Sequence, residues 1–244
     1  MNYSHPSELG KLPGIEVQSG VPAWKRILDV ICITLAMPVL LPAGLLLALV
    51  IKLVSPGPVL FKQERVGFRG RRFMCLKFRT MKVNADTRVH QGHLEQLMKS
   101  DQPMVKLDAA DPRLIPCGLI LRSLGLDELP QLLNVLRGEM SLVGPRPCIP
   151  YEYEHYLPRY RQRCGTLPGL TGLWQVNGKN RTTFEQMIEF DLHYVRHKSL
   201  GMDLKILAMT IPAIVIQVCD LKGRRLRREA AATQAPSAKP ARPE

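Results

Sequence analysis

The stretch LGLDELPQLLNVLRGEMSLVGPRP, residues 124–147, holds the residue types best suited to chemistry on an anionic substrate. Asp127 and Glu128 are adjacent, Pro130 follows at once, and an apolar helical pattern begins behind it. Proline is tolerated in a helix only in the first turn, so the pattern predicts a helix whose N-terminus carries the acidic pair. Backbone amides and the helix dipole favour negative charge there, which keeps a carboxylate ionised and able to bind Mg²⁺. An ionised carboxylate can also attack phosphorus, dividing one difficult displacement into two easier ones. First-turn acidic residues are more often plain dipole complements, so this pair alone does not make an enzyme.

Cations recur around it. Arg146 stands between Pro145 and Pro147, where a restricted backbone would hold a guanidinium fork for phosphate oxygens. A solvated turn explains GPRP equally well. ERVG and KFRTM bring Glu64, Arg65, Lys77 and Arg79 together on two short predicted strands. Alternation puts Lys77 and Arg79 on one face, suited to a polyanion, although charge on an edge hairpin is common for other reasons. Asp191 joins the candidates if its helix faces the Asp127 pair. His193 and His197, four apart, and His90 and His93, three apart, lack the acidic helper of a zinc motif and read as surface or packing residues. The sequence contains no Walker loop, dinucleotide fingerprint or Ser/His/Asp set.

The element that must carry these groups to their substrate is apolar. Val30 to Ile51, VICITLAMPVLLPAGLLLALVI, has no charge over about 22 residues, the length of a membrane helix. It starts well inside the chain and lacks a small-residue cleavage site, so it reads as permanent. Pro38 and Pro42 fall in its middle and predict a break. Lys25 and Arg26 precede it, and Lys52, Lys62 and Arg65 follow it. By the positive-inside rule both ends prefer the cytoplasm, which favours a re-entrant helix over an ordinary kinked span.

The predicted fold class is α+β: a mostly helical, membrane-associated domain with a re-entrant helix and a small β-hairpin. Residues 1–20 form a loose lead-in, 21–54 the amphipathic approach and membrane helix, 55–220 a cytoplasmic catalytic domain, and 221–244 a disordered basic tail. Within the domain, 84–112 is a polar excursion, Leu114–Leu136 is helical but broken near Gly125, and Phe184–His197 is helical. Gly138–Pro150 and Leu167–Gly172 are Pro/Gly-rich loops, and Leu204–Val218 is a short interfacial or core helix. A net charge of +13, from 34 basic and 21 acidic residues, favours an anionic partner: nucleic acid, an acidic membrane or phosphorylated substrates. Six scattered cysteines without a C-x-x-C pair fit reduced cytoplasmic thiols.

Taken together, KR-x-x-D at Lys25–Asp29, FKQERVG, KFRTM, LDELPQLLNVLRGEMSLVGPRP and PGLTGLWQVNG resemble the bacterial sugar transferase family, the monotopic phosphoglycosyl transferases. The resemblance spans about Lys25 to Val218, in the manner of small members made of the catalytic module alone. It implies a re-entrant helix broken at Pro42. It also implies an Asp127–Glu128 dyad whose Asp attacks the β-phosphate of a UDP-sugar, releasing UMP. Undecaprenyl phosphate, a polyprenyl phosphate, then takes the phosphosugar. Mg²⁺ assists at Asp127 and Glu128. Lys77, Arg79, Arg122 and Arg146 would bind substrate phosphate, and Arg65, Glu139 and Asp191 are further active-site candidates. The enzyme would lie on the cytoplasmic face of the bacterial inner membrane against anionic lipids.

Three positions depart from the pattern. Leu41 replaces the Ser common before the break. Glu139 stands where Asp is common. Leu167 replaces a frequent basic residue before PGLTG, so that phosphate contact is either missing or supplied by Arg161, Arg163 or Lys179. Two other classes compete with the enzyme. A non-enzymatic membrane scaffold explains the helix and the charge but not the dyad. A membrane-tethered nucleic-acid binder lacks any groove-reading motif, so no nucleic-acid partner is expected. Relatives use glucose, galactose and N-acetylated hexosamines, and no residue here selects among these or sets an oligomeric state.

Overall fold

A computed structural model describes residues 21–83, 92, 95–98, 100–104, 111–179 and 181–234, with side chains to residue 219 apart from Gln217. The lead-in, most of the 84–112 excursion, both His90 and His93, and the last ten residues lie outside that set.

The order is α1 (Ala23–Val54), β1 (Leu60–Val66), β2 (Arg72–Phe78), α2 (Gly118–Ser123), α3 (Gln131–Leu136), β3 (Ser141–Val143), α4 (Pro150–Glu154), α5 (Pro158–Arg161), β4 (Gly169–Thr171), α6 (Leu173–Val176), α7 (Phe184–His197) and α8 (Leu200–Gln234). The expected hairpin is present: β1 and β2 pair antiparallel from Leu60↔Phe78 to Val66↔Arg72. The break near Gly125 is present too, between α2 and α3.

Both Pro/Gly-rich stretches hold a short strand, contrary to the expectation of loops. β3 and β4 pair in parallel, Ser141 opposite Gly169 and Val143 opposite Thr171. Three glycines allow this approach. A Cβ on Gly144 would lie 2.3 Å from the Leu167 carbonyl oxygen, one on Gly169 2.1 Å from the Gly144 nitrogen, and one on Gly172 2.2 Å from the Gly144 oxygen. Any side chain there forces the strands apart, so GPRP and PGLTG are two halves of one contact.

Helix α1 contains both prolines within its 32 residues. The predicted break is therefore not an interruption of the helix, although each proline still removes one bond from its ladder. Its middle is bare: Leu35 is 77% exposed and Val39 72%. Apolar surface on that scale is unfavourable in water at roughly 25 cal/mol per Å², so α1 is the one described helix with the length and composition of a membrane element. Both of its ends, in contrast, rest on the globular body. Ile33 packs with Cys75, Val135 and Tyr194, and Ile51 packs with Phe78, Ile115 and Leu121.

The charges of the KR-x-x-D motif turn toward the globular body. Lys25 is fully buried and donates to Asp203 at 2.6 Å, to the Val143 carbonyl at 2.6 Å and to Tyr194 Oη at 2.8 Å. Arg26 donates to the carbonyls of Val135 and Leu136 at the end of α3, orphan acceptors that every helix C-terminus presents. Asp29 accepts from Ser141 Oγ at 3.0 Å and from the Leu142 amide at 2.9 Å. The motif fastens α1 to β3, α3 and α8.

Helix α8 is longer than expected. It starts at Leu200, passes Pro212 and continues through the basic GRRLRRE run to Gln234, where disorder was predicted from residue 221. Its EAAA segment has strong intrinsic helix propensity, which explains the extension.

Candidate active site

Gly125 ends α2 in the left-handed region, with φ of 70°. A residue with a Cβ is strained there, so glycine is what lets the chain turn straight into the acidic pair. Leu126–Glu128 form one 3₁₀ turn, closed by the Glu128 amide donating to the Gly125 carbonyl at 3.1 Å. Pro130 caps α3 rather than entering it, so the dyad sits just ahead of a short helix, close to where the sequence put it. Leu126 and Leu129, on either side, pack onto the cluster of Ile51, Phe78, Ile115 and Leu121. That grip fixes the intervening acidic residues. Asp127 is buried, 8% exposed.

One predicted cation reaches this turn, and a second lies just before it in sequence. Lys77, on β2, donates to Glu128 Oε1 at 2.9 Å, and both side chains keep about a quarter of their surface, 23% and 27%. Arg122, in the last turn of α2, donates from Nε to Thr80 Oγ1 at 2.9 Å. A lysine and a carboxylate that remain part-exposed can exchange each other for a phosphate and a metal without a large desolvation cost.

Three further candidates, Arg65, Arg146 and Asp191, gather in a second, deeper cluster. Glu152, fully buried on α4, accepts from Arg146 Nη1 at 3.1 Å and from the Ile149 amide at 2.8 Å. Burial pushes the Glu152 carboxyl up, but the Arg146, Arg65 and Arg163 guanidiniums outweigh it and hold it below the usual range. Arg163 pairs with Asp191 and donates to Tyr156 Oη at 2.6 Å and to the Arg146 carbonyl at 3.0 Å. Burial raises the Asp191 carboxyl, and Arg163 opposes that rise. Arg65 donates to the Pro147 carbonyl at 3.0 Å and to Gln63 Oε1 at 2.7 Å. Burial pushes the Cys75 thiol up, and the charges of Lys77 and Arg65 oppose that rise.

Several expected roles change. Asp191 is bound to Arg163 inside this cluster. Arg163 is thereby not a substitute for the basic residue missing at Leu167, which is itself buried. Glu139 accepts from Asn134 Nδ2 at 2.6 Å. Asn134 in turn bonds the Leu76 amide at 3.0 Å and the Met74 carbonyl at 2.8 Å, so Glu139 helps hold α3 on β2. Arg79 is buried and donates to the carbonyls of Pro56 at 2.7 Å and Ser55 at 2.8 Å. Arg79 lies just past the end of β2, and strand alternation could not say what it meets. His193 and His197 are exposed neighbours on α7, 4.4 Å between ring centroids.

Glu152 was missed by sequence reasoning. The available signal was Pro150 followed two residues later by Glu, the spacing at which a first-turn acidic side chain folds back on the preceding backbone. That would have placed its carboxylate beside PRP.

Among the described residues no group of three or more His, Cys, Asp or Glu is placed to hold a metal ion. Asp127 and Glu128 supply two carboxylates on one turn. This fits Mg²⁺, which keeps several waters and takes one or two carboxylates along with substrate phosphates.

The sequence is similar to known proteins over most of its length. The family model described as bacterial sugar transferase matches residues 21–217. The exopolysaccharide production protein ExoY of Sinorhizobium fredii is 43% identical over 199 residues, 79% of this chain and 85% of that protein. ExoY of Rhizobium meliloti is 40% identical over 198 residues, again 79% and 85%. The UDP-glucose:undecaprenyl-phosphate glucose-1-phosphate transferase of Caulobacter vibrioides is 41% identical over 214 residues, 84% of this chain and 73% of that protein.

Proposed function

The chain belongs to the bacterial sugar transferase family and is an enzyme of that class; on that premise we propose that it moves a sugar-1-phosphate from a UDP-sugar to polyprenyl phosphate. Undecaprenyl phosphate is the acceptor, as in the name of the Caulobacter relative. The reaction belongs to exopolysaccharide or related glycoconjugate assembly. The observation that carries this reading is the Lys77–Glu128 pair beside buried Asp127, on a turn packed against the foot of the apolar helix.

Asp127 is the nucleophile. One of its carboxylate oxygens bonds to the β-phosphorus as the bond from that phosphorus to the bridging oxygen breaks, and UMP leaves. The lipid phosphate oxygen then attacks the same phosphorus, Asp127 is released, and polyprenyl diphosphate sugar forms. Lys77 and Arg122 neutralise the diphosphate as charge builds on the leaving oxygen, and the part-exposed guanidinium of Arg146 adds a further phosphate contact. Mg²⁺, held by Asp127 and Glu128, would add Lewis-acid neutralisation of the diphosphate. Glu128 keeps Lys77 in place before substrate arrives. The apolar middle of α1 dips into the inner membrane while both ends stay with the body on the cytoplasmic face, and the basic surface adheres to anionic lipid.

Detergent-solubilised protein with undecaprenyl phosphate, Mg²⁺ and a panel of UDP-sugars tests this. UMP release that requires lipid and is lost in Asp127→Asn supports the proposal and identifies the sugar. Undiminished release from that variant overturns the assignment of Asp127.

A further inference from the structure

We propose that Arg79 is a positioning residue that fixes the end of the membrane helix relative to the acidic pair, and so sets the depth at which the lipid phosphate meets Asp127. The inference deepens the proposed function and rests on it.

Helix α1 stops at Val54, and the next two carbonyls, those of Ser55 and Pro56, are both held by Arg79 at 2.8 Å and 2.7 Å. The Arg79 amide donates to the Val59 carbonyl at 2.8 Å, closing the same turn from its far side. Arg79 is only 5% exposed, and Ser55 only 7%. A buried guanidinium whose two terminal nitrogens are spent on backbone carbonyls is a fastening.

What lies next to it in sequence makes the fastening functional. Two residues earlier Lys77 reaches Glu128, and one residue later Thr80 Oγ1 accepts from Arg122 while the Thr80 carbonyl accepts from the Ile115 amide at 3.0 Å. KFRTM therefore joins the helix end, the dyad and the arginine before it within four consecutive residues. A second, apolar connection runs in parallel. Leu47, Ala48 and Ile51 of α1 share one cluster with Phe78 and with Leu126 and Leu129, which bracket the dyad. Both routes hold the helix end at a set distance from the acidic pair.

The soluble donor approaches through water and does not need the helix at a set height, whereas the lipid phosphate is carried on a chain anchored in the bilayer. Loosening the fastening therefore acts on the lipid alone. Gly57 offers an independent way to loosen it. Its φ is 112°, and a Cβ there would lie 2.9 Å from Arg79 Nη1 and 2.8 Å from Val83 Cγ2.

The test uses Arg79→Lys and Gly57→Ala in nanodiscs, with dissociation constants measured for UDP-glucose and for undecaprenyl phosphate, alongside KM for each. The expected result is a lipid constant weakened roughly ten- to a hundredfold in both variants with the nucleotide constant unchanged. A weakened nucleotide constant with normal lipid binding overturns the proposal and returns Arg79 to phosphate recognition. Equal weakening of both, or a lower melting temperature with neither changed, overturns it in favour of a purely structural role. Wild-type protein that binds both ligands without turnover refutes the reaction assigned above, and the split in binding constants still decides the role of Arg79. Wild-type protein that binds neither overturns both.

Discussion

Two of the places where acidic and basic side chains meet, the dyad and the cluster behind GPRP, differ in depth. At the dyad, Lys77 and Glu128 each keep about a quarter of their surface. In the cluster behind GPRP, Arg163 and Asp191 are 1% and 2% exposed, and Glu152 is fully buried. Chemically the two sets are alike. Depth assigns their work. A part-exposed pair can open for a substrate at little cost, whereas a buried pair holds its loops and is costly to break. Arg146 spans the contrast, with its carbonyl held by buried Arg163 and its own side chain a quarter exposed above Glu152.

The contrast predicts that function and stability separate by region. Replacing Asp127 with Asn gives the largest effect: turnover falls roughly 10³-fold or more with an unchanged melting temperature. Loss of stability in that variant would break the separation. Next is Asp191→Ala, which leaves Arg163 buried without its partner. A urea titration of solubilised protein is expected to show about 3–5 kcal/mol lost. A loss below about 1 kcal/mol would place this pair with the surface class.

Lys77→Met sharpens the comparison from the other side. It is expected to lower turnover about 10²-fold, as for loss of one group aimed at developing charge, while changing stability by under about 1 kcal/mol. A smaller, pH-dependent effect belongs to Asp111, which accepts from Arg113 Nε at 2.8 Å and Nη2 at 2.7 Å. Those hydrogen bonds hold its carboxyl down at about 2. A depressed carboxyl contributes stability above its unfolded value of about 3.9 and loses it as pH falls through the folded value. The melting difference between wild type and Asp111→Asn is thus expected to be constant above about pH 4 and to vanish towards pH 2. A difference that persists at pH 2 would assign it to packing.

Much of the site could be read from residue order, because it is built from local elements. The hairpin, the turn at Gly125 and the dyad ahead of Pro130 all follow from short-range backbone rules, and the structure adds the Lys77–Glu128 pair. What escaped is long-range. Nothing near Lys25 in sequence reveals its partner Asp203, 178 positions away. GPRP and PGLTG read as loops because the mutual fit of Gly144, Gly169 and Gly172 exists only once both segments are side by side. Alternation put Arg79 on the face of Lys77, yet one of them meets a carboxylate and the other meets two carbonyls. Periodicity gives direction, and only the packing supplies the partner.

The central claim is that Asp127 becomes covalently attached to the phosphosugar before lipid takes part. Intact-mass measurement of the protein after incubation with a UDP-sugar and Mg²⁺, without lipid, tests it directly. The account predicts a mass increase equal to one phosphosugar residue, located by peptide mapping on Asp127, absent in Asp127→Asn and discharged when undecaprenyl phosphate is added. Full turnover with lipid but no adduct at any time without it would contradict the account and indicate direct transfer between the two substrates.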